Sequence, residues 1–305
     1  METKVELNLF RALSPLHVGS GSAIGVVDLP IQREQHTSFP KVESSSLKGA
    51  IRDAVYQKEK NTDLFKKVFG NNPDDRDLIQ TGAVTISEAR ILLFPVQSLK
   101  GVFTFVTSPF VLNRFVQEQN AYFDGKAPLD FPAVTIQDNR CLVSNKALLT
   151  QQQIVLQEYT FTAEESSPAK VIAAALDDAM QLEGYLKDRL AIIPDDEFSQ
   201  FVQLSTEITT RIRINPETGV TQDGALFYEE NVPSESVLYS IFYYKDTKKN
   251  TKEAASEKEI TLSLKAAEVQ QFVNASLPGV LQLGGNSTIG RGMMKRNSVS
   301  GGESL

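Results

Sequence analysis

The segment from Ser14 to Arg52, SPLHVGSGSAIGVVDLPIQREQHTSFPKVESSSLKGAIR, constrains this chain more than any other. It follows a strand, Lys4 to Leu13, in which Val5, Leu7 and Leu9 alternate with Glu6 and Asn8, the pattern of a strand buried on one face. It ends in a helix, from about Leu47 to Lys58, whose inner face is Leu47, Ile51, Ala54 and Val55. Between the two lies a loop from Ser14 to Ser46. A loop of this length in a compact domain is usually functional or disordered. It runs into a helix start, where backbone N–H groups lack intrahelical partners. That is a natural place for an anion, so a phosphate-rich partner is the first expectation.

The rest of the chain interleaves strands and helices. Val84 to Ile91 and Gly101 to Thr107 read as strands, with a turn marked by Pro95 and Ser98. Phe110 to Gln117 follows Pro109 as a short helix, and Leu142 to Phe161 is a broken strand-like stretch. Ala169 to Leu186 has helical spacing, Leu190 to Ile193 is a short buried strand, and Pro194-Asp195 opens another helix. Thr206 to Tyr228 is a hairpin whose arms, EITTRIRI and ALFYEE, flank the turn-rich NPETGVTQDG. Val237 to Tyr244 is a strand and Leu264 to Ala275 a helix. A polar run at 245–259 reads as a solvated loop or disordered insertion. VLQLGGNSTIGRGMMK gives a strand leading into a second glycine-rich loop, and the tail after Arg296 is expected to fray. There is no fixed repeat and no regular βαβ spacing. The fold class is therefore α+β, with an antiparallel or mixed sheet.

Composition narrows the partners. With 305 residues, 41% hydrophobic and 23% charged, the chain can build one large core or two small ones. No run of 18 apolar residues occurs, so no membrane partner is expected. The N-terminus lacks the basic start and apolar stretch of a signal peptide. A single cysteine, Cys141, rules out an intrachain disulfide framework and fits a reducing cytoplasm. It also excludes a zinc site of several cysteines, and two histidines do not easily fill the gap. The net charge of -7 argues against coating nucleic acid by bulk charge but leaves room for a local basic groove.

Each chemically suggestive group also has a plainer reading. Gly19, Gly21 and Gly25 permit positive φ and close backbone approach, but serve a flexible surface loop equally well. Their spacing, G-x-G-x-x-x-G, matches neither a Walker A loop nor the dinucleotide fingerprint. Asp28 could bind a divalent cation or act as a base near a phosphodiester, or it could simply form the turn before Leu-Pro. His17 and His36 have no Ser/His/Asp spacing around them. Lys48 and Arg52, four residues apart, could clamp a phosphate or line a solvated helix face. Arg211 and Arg213 could present two cations on a projecting hairpin, or protect an edge strand by charge. GGNSTIGRG could bend against another backbone, including that of RNA, with Arg291 as a phosphate contact, or form a tight hairpin turn.

Taken together, GVVDLPIQREQHTSFPKV followed by SSLKGAIR, then ARILLFPVQSLKGVFTFVTSP, RIRINPETGVTQDGALFYEENVP and LQLGGNSTIGRGMM resemble the RAMP superfamily of CRISPR proteins. More narrowly they resemble the backbone subunit of the type III-B Cmr effector complex, over essentially the whole chain. The resemblance implies a single domain, 1–305, built on a modified RRM-like, ferredoxin-like palm with inserted segments. A β-hairpin thumb would span about 206–230. It implies a head-to-tail filament of copies along the CRISPR RNA, joined by other Cmr-complex subunits. That filament would cut complementary target RNA at regular intervals as an antiviral endoribonuclease. Asp28 matches the family's catalytic aspartate, and His17, Tyr228 and Glu229 fall in segments near that site in relatives. Cleavage would need a divalent cation, Mg2+ or Mn2+, and Asp28 could bind that cation or accept the ribose hydroxyl proton directly. Lys48, Arg52, Arg211, Arg213, Gly284, Gly285 and Arg291 would hold RNA backbone without reading its sequence. The alternatives are the type III-A backbone subunit, a scaffold with an inert Asp28, and a CRISPR RNA processing nuclease of the same superfamily. The form VVDLPIQRE favours the Cmr type.

Overall fold

A computed structural model of the chain describes residues 3–59, 62–71, 81–222, 225–247 and 263–300. In chain order it begins β1 (Thr3–Ala12), β2 (Lys41–Val42), α1 (Ser44–Lys58), α2 (Thr62–Phe69), β3 (Val84–Ile86), β4 (Ala89–Gln97) and β5 (Phe103–Thr107). It continues α3 (Pro109–Tyr122), β6 (Arg140–Val143), β7 (Gln153–Leu156), β8 (Tyr159–Glu165), α4 (Ser167–Met180), β9 (Leu190–Ile192) and α5 (Asp195–Leu204). Then come β10 (Glu207–Arg211), β11 (Phe227–Asn231), β12 (Val237–Lys245), α6 (Ala266–Ser276), β13 (Val280–Gln282) and β14 (Met293–Ser300).

One sheet of twelve strands runs β13-β14-β1-β12-β4-β5-β9-β6-β8-β7, with β2 paired to β4 and β3 to β12. Its pairs are antiparallel apart from β5–β9 and β6–β8. The four strands β14-β1-β12-β4, with α1 after β1 and α6 after β12, have the βαββαβ order of a ferredoxin-like sheet. The residues between β4 and β12 supply the rest of the sheet and the separate β10–β11 pair. Helix α6 packs over β1 and β12 on one face of the quartet, and α1 packs against α6, β3 and β13. On the other face Tyr239 meets Phe115 of α3 edge to face, with ring centroids 4.8 Å apart.

Because both faces of the quartet are covered, β1 is not half-buried as its alternation predicts. Glu6 and Asn8 are as buried as Leu7 and Leu9. The polar positions of β1 are satisfied by α6 and β14: the Glu6 carboxylate accepts from Gln270 at 2.8 Å and Asn274 at 2.6 Å of α6 and from Arg296 of β14 at 2.6 Å, and Asn8 accepts from Arg296 at 2.6 Å. A strand with a buried hydrogen-bonded row and a strand with a wet row look the same in sequence.

Other boundaries shift for local reasons. Helix α1 begins at Ser44, so Lys48 lies in its second turn. The strand expected over 84–91 divides into β3 and β4 around Ser87-Glu88, and β4 runs through Pro95, which pairs with Phe105. The turn falls instead at Gly101 and Val102, both at positive φ. Helix α3 extends to Tyr122, started by the Ser108 cap and Pro109. Helix α4 stops at Met180, where Gln181 turns left-handed. Leu186 is buried in the turn beyond, which the Asp177 carboxylate organises by accepting the Gly184 and Leu186 N–H groups at 2.7 and 2.8 Å. The tail after Arg296 does not fray at once: β14 reaches Ser300, paired to Glu6. Lys245 belongs to β12, opposite Thr3. The remainder of the expected 245–259 insertion lies outside the described residues from 248 onward, as do 223–224 within the expected thumb. Among the described residues no helix is long and apolar enough to cross a membrane.

Candidate active site and nucleic-acid interface

The long opening loop is largely a two-stranded ribbon. Its arms meet at a Gly19–Ile31 bridge, with Ser20 N–H donating to Pro30 C=O at 3.0 Å and Gln32 N–H to Val18 C=O at 2.8 Å. The tip closes through Ala23 N–H to Asp28 C=O at 2.9 Å. The ribbon lies along β11. Asp28 and Leu29 N–H donate to Tyr228 C=O at 3.1 and 3.0 Å, Glu230 N–H donates to Leu29 C=O at 3.0 Å, and Leu16 bridges Val232. Backbone groups that a free loop would leave to water are thus paired to a strand two hundred residues away in sequence.

Asp28 stands where the tip rejoins β11. Its Oδ2 accepts the Tyr228 N–H at 2.7 Å, and its Oδ1 has no hydrogen bond among the described residues. The side chain is half-buried, while Ile24 and Val26 beside it are fully exposed. Tyr228 is 39% exposed on the same side of β11.

The next residue points inward. Glu229 is buried, and its Oε2 accepts from Arg211 at 3.0 Å and Asn286 at 2.8 Å. Burial alone would push its pKa up. The Asn286 hydrogen bond and the charges of His17 and Arg211 outweigh that and hold the carboxyl below its ordinary range. Its Oε1 is buried without a partner. His17 Nδ1 lies 2.7 Å from Glu230 C=O, which can only accept, so Nδ1 carries the proton. Nε2 then lies against Gly19, where a Cβ would come within 2.9 Å of it. The second glycine loop closes the far side. Gly285 N–H donates to His17 C=O at 2.8 Å, and Gly284 sits at φ +74° with room for no Cβ, which would fall 2.2 Å from the His17 oxygen. Arg291 donates to the Thr209 hydroxyl at 3.1 Å.

The structure therefore brings together Asp28 with Tyr228, and His17 with Glu229, Arg211, Gly284 and Gly285, on the two sides of β11. Arg291 joins them at the foot of the hairpin. Three expected residues stand apart. Lys48 donates to Val84 C=O at 3.0 Å, and burial, then the Arg52 charge, lower its pKa. Arg52 lies over the Phe65 ring at 5.4 Å. Arg213 is exposed beyond the end of β10. The start of α1 does reach the ribbon: Gln32 donates to Ser46 Oγ at 3.2 Å and to Gly19 C=O at 3.1 Å, and accepts the Glu43 N–H at 2.8 Å. The residue pattern does not mark Gln32, Asn286 or Glu230. Asn286 lies inside the glycine motif and was findable. Nothing local separates Glu230 from Glu229.

An open carboxylate oxygen on a rigid backbone frame can accept a proton from a nearby hydroxyl. It does not make a metal cage. Among the described residues no three His, Cys, Asp or Glu side chains stand together to hold an ion. Asp28 offers one oxygen and Glu229 is committed to Arg211 and Asn286. The side chains present do not fit a protein-held divalent cation.

A family model described as the RAMP superfamily matches residues 9–295. The CRISPR system Cmr endoribonuclease Cmr4 of Pyrococcus furiosus is 38% identical over 289 residues, 93% of this chain and 92% of that one. The CRISPR system CMR subunit Cmr4 of Saccharolobus solfataricus is 24% identical, over 96% of each chain. The crystal structure of oligomeric Cmr4 from Pyrococcus furiosus superposes with a TM-score of 0.71 at 28% identity, covering 98% of this chain and 99% of that one. A chain of the type III-B Cmr-beta complex bound to cognate target RNA has the same fold, with a TM-score of 0.73 at 21% identity over 97% of each.

Proposed function

The chain belongs to the RAMP superfamily, and we propose that it is the backbone subunit of a type III-B Cmr effector complex that cleaves target RNA. The observation that carries this is Asp28: a carboxylate with one oxygen fixed by the Tyr228 N–H and the other open. Likeness to a relative named an endoribonuclease supports it. In this reading the β14-β1-β12-β4 quartet is the palm and the β10–β11 hairpin is the thumb. Copies stack head to tail along the CRISPR RNA in the cytoplasm, with other Cmr subunits as neighbours. Base pairing between guide and target supplies the sequence specificity.

Asp28 accepts the proton of a ribose 2′-hydroxyl as that oxygen attacks the adjacent phosphorus. The O2′–P bond forms and the P–O5′ bond breaks. The 5′-oxygen leaves and takes a proton from water, Asp28 returns its proton to solvent, and a 2′,3′-cyclic phosphate remains. Tyr228 borders the reacting group, while His17, bonded to Glu230 C=O, and Glu229, holding Arg211 and Asn286, support it from the other side of β11. A divalent cation, Mg2+ first and Mn2+ second, belongs to the proposal; it would be held by water and RNA phosphate oxygens and would supply charge stabilisation at the reacting phosphate, leaving the open Asp28 oxygen for the proton. Arg211, Arg213, Gly284, Gly285 and Arg291 are proposed to meet RNA directly. Lys48 and Arg52 are proposed to do so after leaving Val84 and Phe65.

Target-RNA cleavage by the guide-loaded complex in magnesium, comparing wild type with Asp28→Ala, tests the reading. Regularly spaced products from wild type, absent from the variant while guide stays bound, are expected. Guide binding without cleavage by either protein would leave this chain a scaffold.

A further inference from the structure

Glu230 is buried, and its carboxylate gathers three donors: Ile31 N–H at 3.0 Å, the Thr206 hydroxyl at 2.8 Å and the Arg33 guanidinium. Arg33 also donates to Ser38 C=O at 2.7 Å, Val202 C=O at 3.1 Å and Gln203 C=O at 3.4 Å. Val202 and Gln203 lie in the last turn of α5, where carbonyls lack helical partners and a cation is favoured. One ion pair thus joins the ribbon, the end of α5, the start of β10 and β11.

Asp28 lies on the same ribbon arm as Ile31 and Arg33, and its Oδ2 is fixed by a residue two positions from Glu230 on β11. Where the carboxylate stands depends on how the ribbon seats on β11. Resting on the assignment of Asp28 as the cleaving residue, we infer that Arg33 and Glu230 are positioning residues. Their ion pair seats the ribbon on β11 and so fixes the Asp28 carboxylate relative to the foot of the hairpin. The hairpin and the reacting group then share one anchor, and a cut is aligned with the hairpin that approaches the RNA.

The guide-loaded complex carrying Arg33→Ala should lose about tenfold or more in single-turnover cleavage at saturating target RNA, because small misplacements of a reacting group cost large factors in rate. Target affinity and guide retention should stay within about twofold. Arg33→Lys keeps the charge but not the forked donation, and should restore part of the rate. Glu230→Gln, close in shape, should lose rate as Arg33→Ala does. Amide exchange in the free chain reads the seating without any cleavage. The Asp28, Leu29 and Tyr228 amides should exchange about tenfold faster or more in Arg33→Ala, while those of β1 and β12 are unchanged. Unchanged exchange and rate, or equal loss of protection in β1 and β12, would overturn the inference. If the wild-type complex does not cleave, the exchange result still decides the seating, and the cleavage reading fails on its own.

Discussion

Asp28 and Glu229 are carboxylates on opposite sides of one strand, and their surroundings divide their work. Asp28 keeps an open oxygen, so Asp28→Asn, which can still accept the Tyr228 N–H, should cut cleavage about 10²–10⁴-fold without loss of melting temperature. Single-turnover assays and thermal melts check the two halves of that statement. Glu229 is structural in the same geometry. Its folded pKa lies below the ordinary 4.5, so its contribution to stability is fully present above that value and is lost as pH falls through the lowered one. Glu229→Gln should therefore melt below wild type at pH 7, and the gap should shrink as pH falls below 4.5 and through the lowered folded value. A gap independent of pH would mean that the pairing with Arg211 and Asn286 contributes nothing through charge. Sequence alone pointed to Asp28 through its family motif, but it could not separate the open carboxylate from the buried one. Exposure on a strand depends on what covers each face.

At the scale of elements, the hairpin and the second glycine loop behave differently from their sequence reading. The arms are legible from their alternation, but the regular β10–β11 ladder ends at Arg211. Arg213 pairs separately nearer the tip, where its C=O accepts the Gln222 N–H at 2.9 Å, so the two arginines do not form a matched pair of cations. Arg211 is held by Glu229 and Asn286, whereas Arg213 is exposed. Arg213→Ala should weaken RNA binding, lower its salt dependence by roughly one counterion and leave the melting temperature alone. Arg211→Ala strands a buried carboxylate and should cost about 1–3 kcal/mol of stability as well. Titration at several salt concentrations with parallel melts separates the two. The glycine motif suits a bend against another backbone, and at Gly284 that backbone is the chain's own, at His17. Gly284→Ala meets both a left-handed φ and the His17 carbonyl, and should cost roughly 2 kcal/mol or more, a fall on the order of 4 °C in melting temperature. No local signal reveals the partner of such a bend, because it arrives from residue 17 to meet residue 284.

Over the whole molecule, the α+β class and most element positions followed from periodicity. The closing of the sheet did not, since β1 acquires its partners, β12 and β14, from the far end of the chain. That closure carries a buried charge. Arg296 donates to Glu6 and Asn8 at 2.6 Å each and to Asn274 at 2.7 Å, and Glu6 is wholly buried beneath α6. The Tyr244 hydroxyl also reaches Glu6, and burial, then the Glu6 charge, push its pKa well up. Removing one member of such a pair leaves an unpaired charge in a medium of low polarity, which costs far more than the pair itself contributes. Arg296→Met should therefore lose about 3–5 kcal/mol in denaturant unfolding. Adding Glu6→Gln to it removes the stranded charge while Gln270, Asn274 and Tyr244 remain to pair with the amide, so the double variant should recover much of that loss. If the double variant is no more stable than Arg296→Met alone, the cost lies in the lost stacking of the Arg296 guanidinium over Phe242 and not in the stranded Glu6 charge. Either outcome leaves Asp28 and the ribbon untouched, so guide binding by the folded fraction should match wild type and mark the effect as one of closure.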